Sequence, residues 1–202
     1  RFSINSLPKS WRMKPFKLNV QLQGGEDIPH VPGAKYSGSI GISALLETKK
    51  EHQIGIAYNH AFVNPDDLDT LQKQGMSGDA QAFIIGTRRF ADRYYLGTTL
   101  SFLEDQETTD EDIYFDGWGW EMFGSYNIRK KWWLVGGWNT LQPYRYETLA
   151  KNYRLRYGVL GLRYSFDHFR RMIYTEIRID NSRNADDTAP GNVYTAGMRW
   201  DF

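Results

Sequence analysis

The sequence contains no cysteine. Neither a disulfide framework nor a cysteine-ligated metal site is open to it. No apolar run approaches the ~18 residues that a membrane-spanning helix needs, and the mean hydropathy is −0.60. Helical spanning is excluded. Spanning by strands is not, because strands that alternate apolar and polar residues read as polar on average. An excess of one charge is missing too: 25 Lys and Arg face 24 Asp and Glu, a formal net charge of +1. Composition therefore makes no electrostatic case for nucleic acid. What the 202 residues do hold is aromatics, at 15%, with 7 Trp, 13 Tyr and 11 Phe. That richness suits the interfacial girdles of a membrane barrel, and sugar-binding β-proteins share it. The length suits a single domain over 1–202. Beginning at Arg1, the chain reads as a mature or truncated product.

Hydrophobicity repeats with a period of two almost throughout. Ten strands are expected, near 16–24, 35–47, 51–63, 79–90, 92–104, 117–128, 131–142, 152–166, 169–181 and 192–202. In the first of them Phe16, Leu18, Val20 and Leu22 share one face, and Lys17, Asn19, Gln21 and Gln23 the other. The connections alternate in length. Gly24–Ala34, Asn64–Gly78, Asp105–Asp116, Pro143–Lys151 and Ser182–Gly191 are long; Thr48-Lys49-Lys50, Ala91-Asp92, Arg129-Lys130 and Asp167-His168 are short. All long loops then lie at one end and all tight turns at the other, the asymmetry of outer-membrane barrels. Residues 1–15 fit less simply. Arg1 to Leu7 alternates like the end of an earlier strand, and Pro8 to Pro15 reads as a turn. The expectation is that this chain is part of a larger barrel; a tail or plug before a closed ten-strand barrel is the alternative.

The chain ends Thr195-Ala196-Gly197-Met198-Arg199-Trp200-Asp201-Phe202. Ala196, Met198, Trp200 and Phe202 alternate with Thr195, Gly197, Arg199 and Asp201. The segment resembles the C-terminal assembly signal of bacterial outer-membrane proteins, whose polar, Gly and aromatic places fall on Thr195, Gly197, Trp200 and Phe202. Further stretches resemble strands of the gamma-proteobacterial general diffusion porins: Gly117 to Asn127, Lys131 to Asn139, Tyr157 to Phe166 and Ile173 to Asp180. The likeness covers most of 16–202. It implies an all-β, transmembrane, antiparallel up-and-down barrel of sixteen strands, assembled as a trimer, of which this chain holds the last ten. In that count the pore-narrowing loop of the family falls outside the chain, and Asn64–Gly78 is not its counterpart.

A water-filled barrel selects by width and by the charges on its wall. Strand parity nominates Lys17, Gln21, Arg93, Glu121, Arg163, Glu176, Arg178, Asp180 and Arg199 as wall groups. Both signs occur, so strong ion selectivity does not follow. Arg154 and Arg156 share parity with Leu160 and Leu162; either they sit above the lipid, or a bulge near Gly158 flips the register. No catalytic set is found. Asp167-His168 occupies a tight turn, and His60 beside Asn59 has no nucleophile spaced to it. Asp66-Asp67-Leu68-Asp69 and Asp110-Glu111-Asp112 lack a cation-loop spacing and read as solvated loops. No cofactor or metal is implied. The function expected is passive diffusion of small hydrophilic solutes and ions through an outer-membrane channel. The expected partners are lipid, lipopolysaccharide, the outer-membrane assembly machinery and two further copies. A small closed ten-strand barrel acting as an enzyme or adhesin is the alternative.

Overall fold

A computed structural model describes residues 2–3, 16–24, 26–29, 31–47, 51–167 and 171–200. Eleven strands form one sheet in strict sequence order. They are β1 (Phe2–Ser3), β2 (Phe16–Gln23), β3 (Tyr36–Glu47), β4 (His52–Val63), β5 (Ala80–Ala91), β6 (Tyr94–Thr108), β7 (Tyr114–Arg129), β8 (Trp132–Pro143), β9 (Leu155–Asp167), β10 (Arg171–Asp180) and β11 (Val193–Trp200). Every pairing is antiparallel between consecutive strands. Among the described residues β11 pairs with β10 alone, so the sheet is not closed. The ten expected strands are β2 to β11. The turns at 48–50 and 168–170, the Pro8–Pro15 turn and the terminal Phe202 lie outside the described residues.

Register carries one parity across the whole sheet. Leu22 opposes Ile40, Ile42 opposes Tyr58, Tyr58 opposes Phe83, and Phe83 opposes Phe102. Phe102 opposes Trp118; further on, Leu134 opposes Leu162, and Ile173 opposes Met198. One face is thus apolar from β2 to β11, and its side chains are open: Leu22, Leu160 and Met198 are 55%, 54% and 66% exposed. At the short-turn end Trp132, Tyr164 and Phe166 stack edge to face, with centroids 4.9 Å apart in each pair. The parity also resolves β9. Its register runs without a shift through Gly158, so no bulge flips the strand. Arg156 keeps the face of Leu160 and Leu162, and lies at the long-loop end opposite Thr140.

The strands are strongly tilted. A row of paired residues leaves Lys17, next to the short-turn end of β2, and passes Gly55, Thr99, Glu121 and Tyr157. It ends at Asp180, the last residue of β10, at the long-loop end. The row climbs about one residue per strand; with ~3.3 Å along and ~4.8 Å between strands, the tilt is roughly 35°. That is the stagger of a sheet curved into a barrel wall.

Two expectations fail in this region. Asp105–Asp116 is mostly paired strand, because β6 and β7 continue past a bulge to Glu107↔Phe115 and Thr108↔Tyr114. Two of its residues, Tyr114 and Phe115, are fully buried. Arg93 belongs to the turn before β6, where its carbonyl accepts the Asn127 amide at 2.7 Å.

The extended β6–β7 hairpin organises the loops into one cap. Ile28 and Val31 from 24–35, with Leu71 and Met76 from 64–79, pack with Tyr114 against Ala61, Val63 and Ala80. Ala61 and Ala80 project from the face opposite the apolar one, so these loops fold over the polar side. Asn64 caps the 3-10 turn Pro65–Asp67, which leads into α1 (Leu68–Gln72) and delivers the wholly buried Leu71. The Gln74 carbonyl accepts the Tyr114 amide at 2.7 Å, and the Tyr114 hydroxyl donates to the Pro29 carbonyl. Asp105, buried and at φ +50°, accepts from the Ser77 amide (2.8 Å), the Ser77 hydroxyl (2.9 Å) and the Gly78 amide (3.1 Å). The two later loops attach to the tip: Lys151 pairs with Glu111 at 2.7 Å, and Asp110 accepts the Ala185 amide at 2.8 Å.

Replacing Asp105 with Ala strands three donors and should cost about 1–3 kcal/mol. The expected result is faster proteolytic cutting within 64–79 with the strand signal in circular dichroism retained. Unchanged cutting would remove Asp105 from its place as the tie of this loop.

Candidate functional site

The face opposite the apolar one carries the polar inventory. Lys17 and Gln21 project from it on β2, Glu121 on β7, Arg163 on β9, Glu176, Arg178 and Asp180 on β10, and Arg199 on β11, all in common parity. Arg93 stands apart in its turn. These groups are tied sideways. Lys17 pairs with Glu47 at 2.9 Å, Glu47 accepts from the Gln53 amide at 2.8 Å, and Arg88 donates to Gln53. A ladder of four side chains therefore crosses β2 to β5 near the short-turn end. Glu47 and Arg88 are missing from the sequence nominations; their signal is parity with Leu45 and Ile84, two apolar residues that mask the polar face. On the far strands Asn139 donates to Glu121 at 2.6 Å, and Arg178 pairs with Asp180 while stacking 3.9 Å over the Tyr157 ring. Cations and carboxylates alternate, so the wall has no single-sign field.

Among these strands the wall hollows into a concavity of about 510 Å³, lined by Asn19, Gln53, Arg88, Tyr95, Thr99, Glu121 and Phe123 among others. Its lining mixes these polar side chains with apolar ones such as Leu45, Ala57 and Ile84, and its open shape leaves it accessible to water.

The residues weighed for other chemistry have structural employment. His60 Nε2 lies 3.0 Å from Asp79 and its Nδ1 3.0 Å from the Tyr58 hydroxyl, on the apolar face at the long-loop end. Among the described residues no serine is hydrogen-bonded to this set, and the sequence holds no cysteine. Asp67 accepts the Lys35 amide at 3.2 Å, and Asp110 and Glu111 anchor neighbouring loops. Among the described residues no three acid or imidazole side chains gather to hold a metal ion. His168 lies outside the described residues. Of the C-terminal signal, Thr195 and Gly197 lie in β11 opposite Glu176 and Tyr174, and the Trp200 backbone pairs with Arg171.

Consecutive antiparallel pairing, a single parity, steep tilt and loops of contrasting length at the two ends define a porin-type barrel wall. The solved structure of Salmonella typhi OmpF in complex with daunomycin has the same fold: TM-score 0.70 at 14% identity, over 91% of this chain and 55% of that one. This chain thus spans about half the length of that general porin. No protein-family model and no curated protein sequence matches it.

The cap holds a pH-sensitive tie. Burial raises the Asp79 carboxyl, but the His60 hydrogen bond, the Val63 amide (2.8 Å) and the His60 charge outweigh it and hold the group below its ordinary range. A carboxyl depressed by folding stabilises fully above the unfolded value, about 3.9 for Asp, and loses that contribution as pH falls through the folded value. Hydrogen exchange of the Val63 amide should quicken, relative to the rest of β4, as pH drops below about 4. Asp79→Asn should show that quickened exchange at neutral pH already.

Proposed function

We propose that this sheet forms much of the wall of a water-filled outer-membrane channel, through which small hydrophilic solutes and ions diffuse passively. The observation that carries the reading is the two-faced sheet: ten strands in common register, with exposed aliphatic and aromatic side chains on one side and linked charges on the other. Water on both sides would leave the apolar face unpaid, far beyond the few hundred Å² a soluble surface carries. Lipid against that face and water against the other satisfies both. In lipid a free strand edge is untenable, so the wall is completed by further strands beside β11 and β1, consistent with the OmpF likeness covering 55% of that chain.

The finer parts of the proposal follow the same chemistry. Gram-negative outer-membrane lipid meets the apolar band. The head groups of lipopolysaccharide meet Arg156 and the loop end. Thr195, Gly197, Trp200 and Phe202 serve as the assembly signal, and the assembled porin is a homotrimer of the gamma-proteobacterial general type. No reaction is assigned; diffusion needs no catalytic group or cofactor.

Reconstitution of the complete barrel, this wall together with the strands that close it, into a planar bilayer tests the function. Discrete ohmic conductance steps are expected, and a chain that stays monomeric and soluble without detergent overturns the reading. Ile85→Arg, at mid-height of the apolar band, should destabilise insertion by about 2–4 kcal/mol in vesicle folding titrations. Glu121→Lys should leave folding intact and move the reversal potential in a salt gradient toward anion preference.

A further inference from the structure

Three aromatic rings stand on the polar face, where the channel reading places water. Phe90 on β5, Tyr95 on β6 and Phe123 on β7 form a continuous strip, with centroids 5.1 Å apart for Phe90–Tyr95 and 6.0 Å for Tyr95–Phe123. Phe90 and Phe123 remain 37% and 43% exposed. The apolar face has ample room for aromatics, and burial does not account for these three.

Their setting is specific. Register puts Arg88, Gly97 and Phe123 in one row. The phenol end of Tyr95 lies over Gly97, where an added Cβ would meet the hydroxyl at 2.7 Å. A side chain at position 97 would lift the ring; glycine lets it lie along the wall between Arg88 and Phe123, its free side toward the concavity. The Arg88 guanidinium sits 5.2 Å over Phe90 and donates to Gln53. Thr99, Glu121, Asn19 and Gln53 line the same concavity of about 510 Å³. Flat apolar rings thus lie beside donors and acceptors of both signs.

We propose that the Phe90–Tyr95–Phe123 strip and its flanking polar groups form a binding site for a neutral saccharide on the channel wall. A pyranose ring offers what this surface lacks: a C–H face to lie on the aromatics, and hydroxyls that both donate and accept. Arg88 and Glu121 carry opposite charges on the two sides, so an anion or a cation would gain from one and lose to the other. The site slows a sugar in passage and passes small ions freely. This inference rests on the channel reading for its access to solute.

The test uses the complete barrel that contains this wall, folded in detergent, with maltotriose as probe. Calorimetric titration should give saturable binding, and addition to a bilayer should block the ion current in a concentration-dependent way. Tyr95→Ala and Phe123→Ala should each weaken binding by about 3- to 10-fold. Tyr95→Phe should keep most of it, and Gly97→Val should weaken it by tilting Tyr95. Circular dichroism and unblocked conductance report that each variant is folded. Conductance without maltotriose binding overturns the site and leaves the channel standing. Binding without conductance keeps the site and removes the channel. Binding unchanged in both alanine variants overturns the strip as its location.

Discussion

Everything in this molecule depends on strict parity within a hydrogen-bonded ladder. A strand sends successive side chains to opposite faces, so one register error would exchange the two faces from that strand onward. The pairings from β2 to β9 shift only near strand ends or above the Leu103–Glu107 bulge. Over the middle of the sheet the aliphatic band stays on one side and the Lys17–Glu47–Gln53–Arg88 ladder on the other. That separation makes the sheet able to divide an apolar medium from water. Short connections such as Asp92-Arg93 help to keep it, since a two-residue turn leaves little freedom to slip.

The cap obeys a different rule. Its loops have no alternation, and their stability comes from a small core and from backbone groups that find partners in neighbouring loops. Tyr114 is the meeting point, bonded to 24–35 through Pro29 and to 64–79 through Gln74. Carboxylates serve here as acceptors for amides: Asp105 for Ser77 and Gly78, Asp79 for Val63, Asp110 for Ala185. An acidic stretch that looks like free solvated loop is therefore partly an internal scaffold.

The sheet was legible in the sequence because period-two alternation is a local signal, and Phe16 to Gln23 or Ile173 to Asp180 display it without help from distant residues. Loop-length alternation was legible for the same reason. What escaped was nonlocal. The hairpin at 104–116 looks like loop because Asp105, Glu107, Asp110 and Asp112 dominate it, while Tyr114 is buried by the loops at 24–35 and 64–79 and Phe115 packs against Tyr153. Arg93 has wall parity but falls one residue short of β6. Glu47 and Arg88 have wall parity as well, yet their neighbours Leu45 and Ile84 obscure it. The aromatic strip was hidden among so many aromatics; parity, once the register is known, separates Tyr95 and Phe123 from the girdle residues.

The row from Lys17 to Asp180 turns the sheet into a screw thread. Rank along the ladder and depth along the wall are separate coordinates, coupled by about one residue of climb per strand. An inserted or deleted residue within a strand advances the thread for every strand after it, while the same change in a loop of the cap leaves the thread in place. A change in length is for that reason tolerated best at the long-loop end, and within a strand a change in residue identity disturbs the wall far less than a change in residue number.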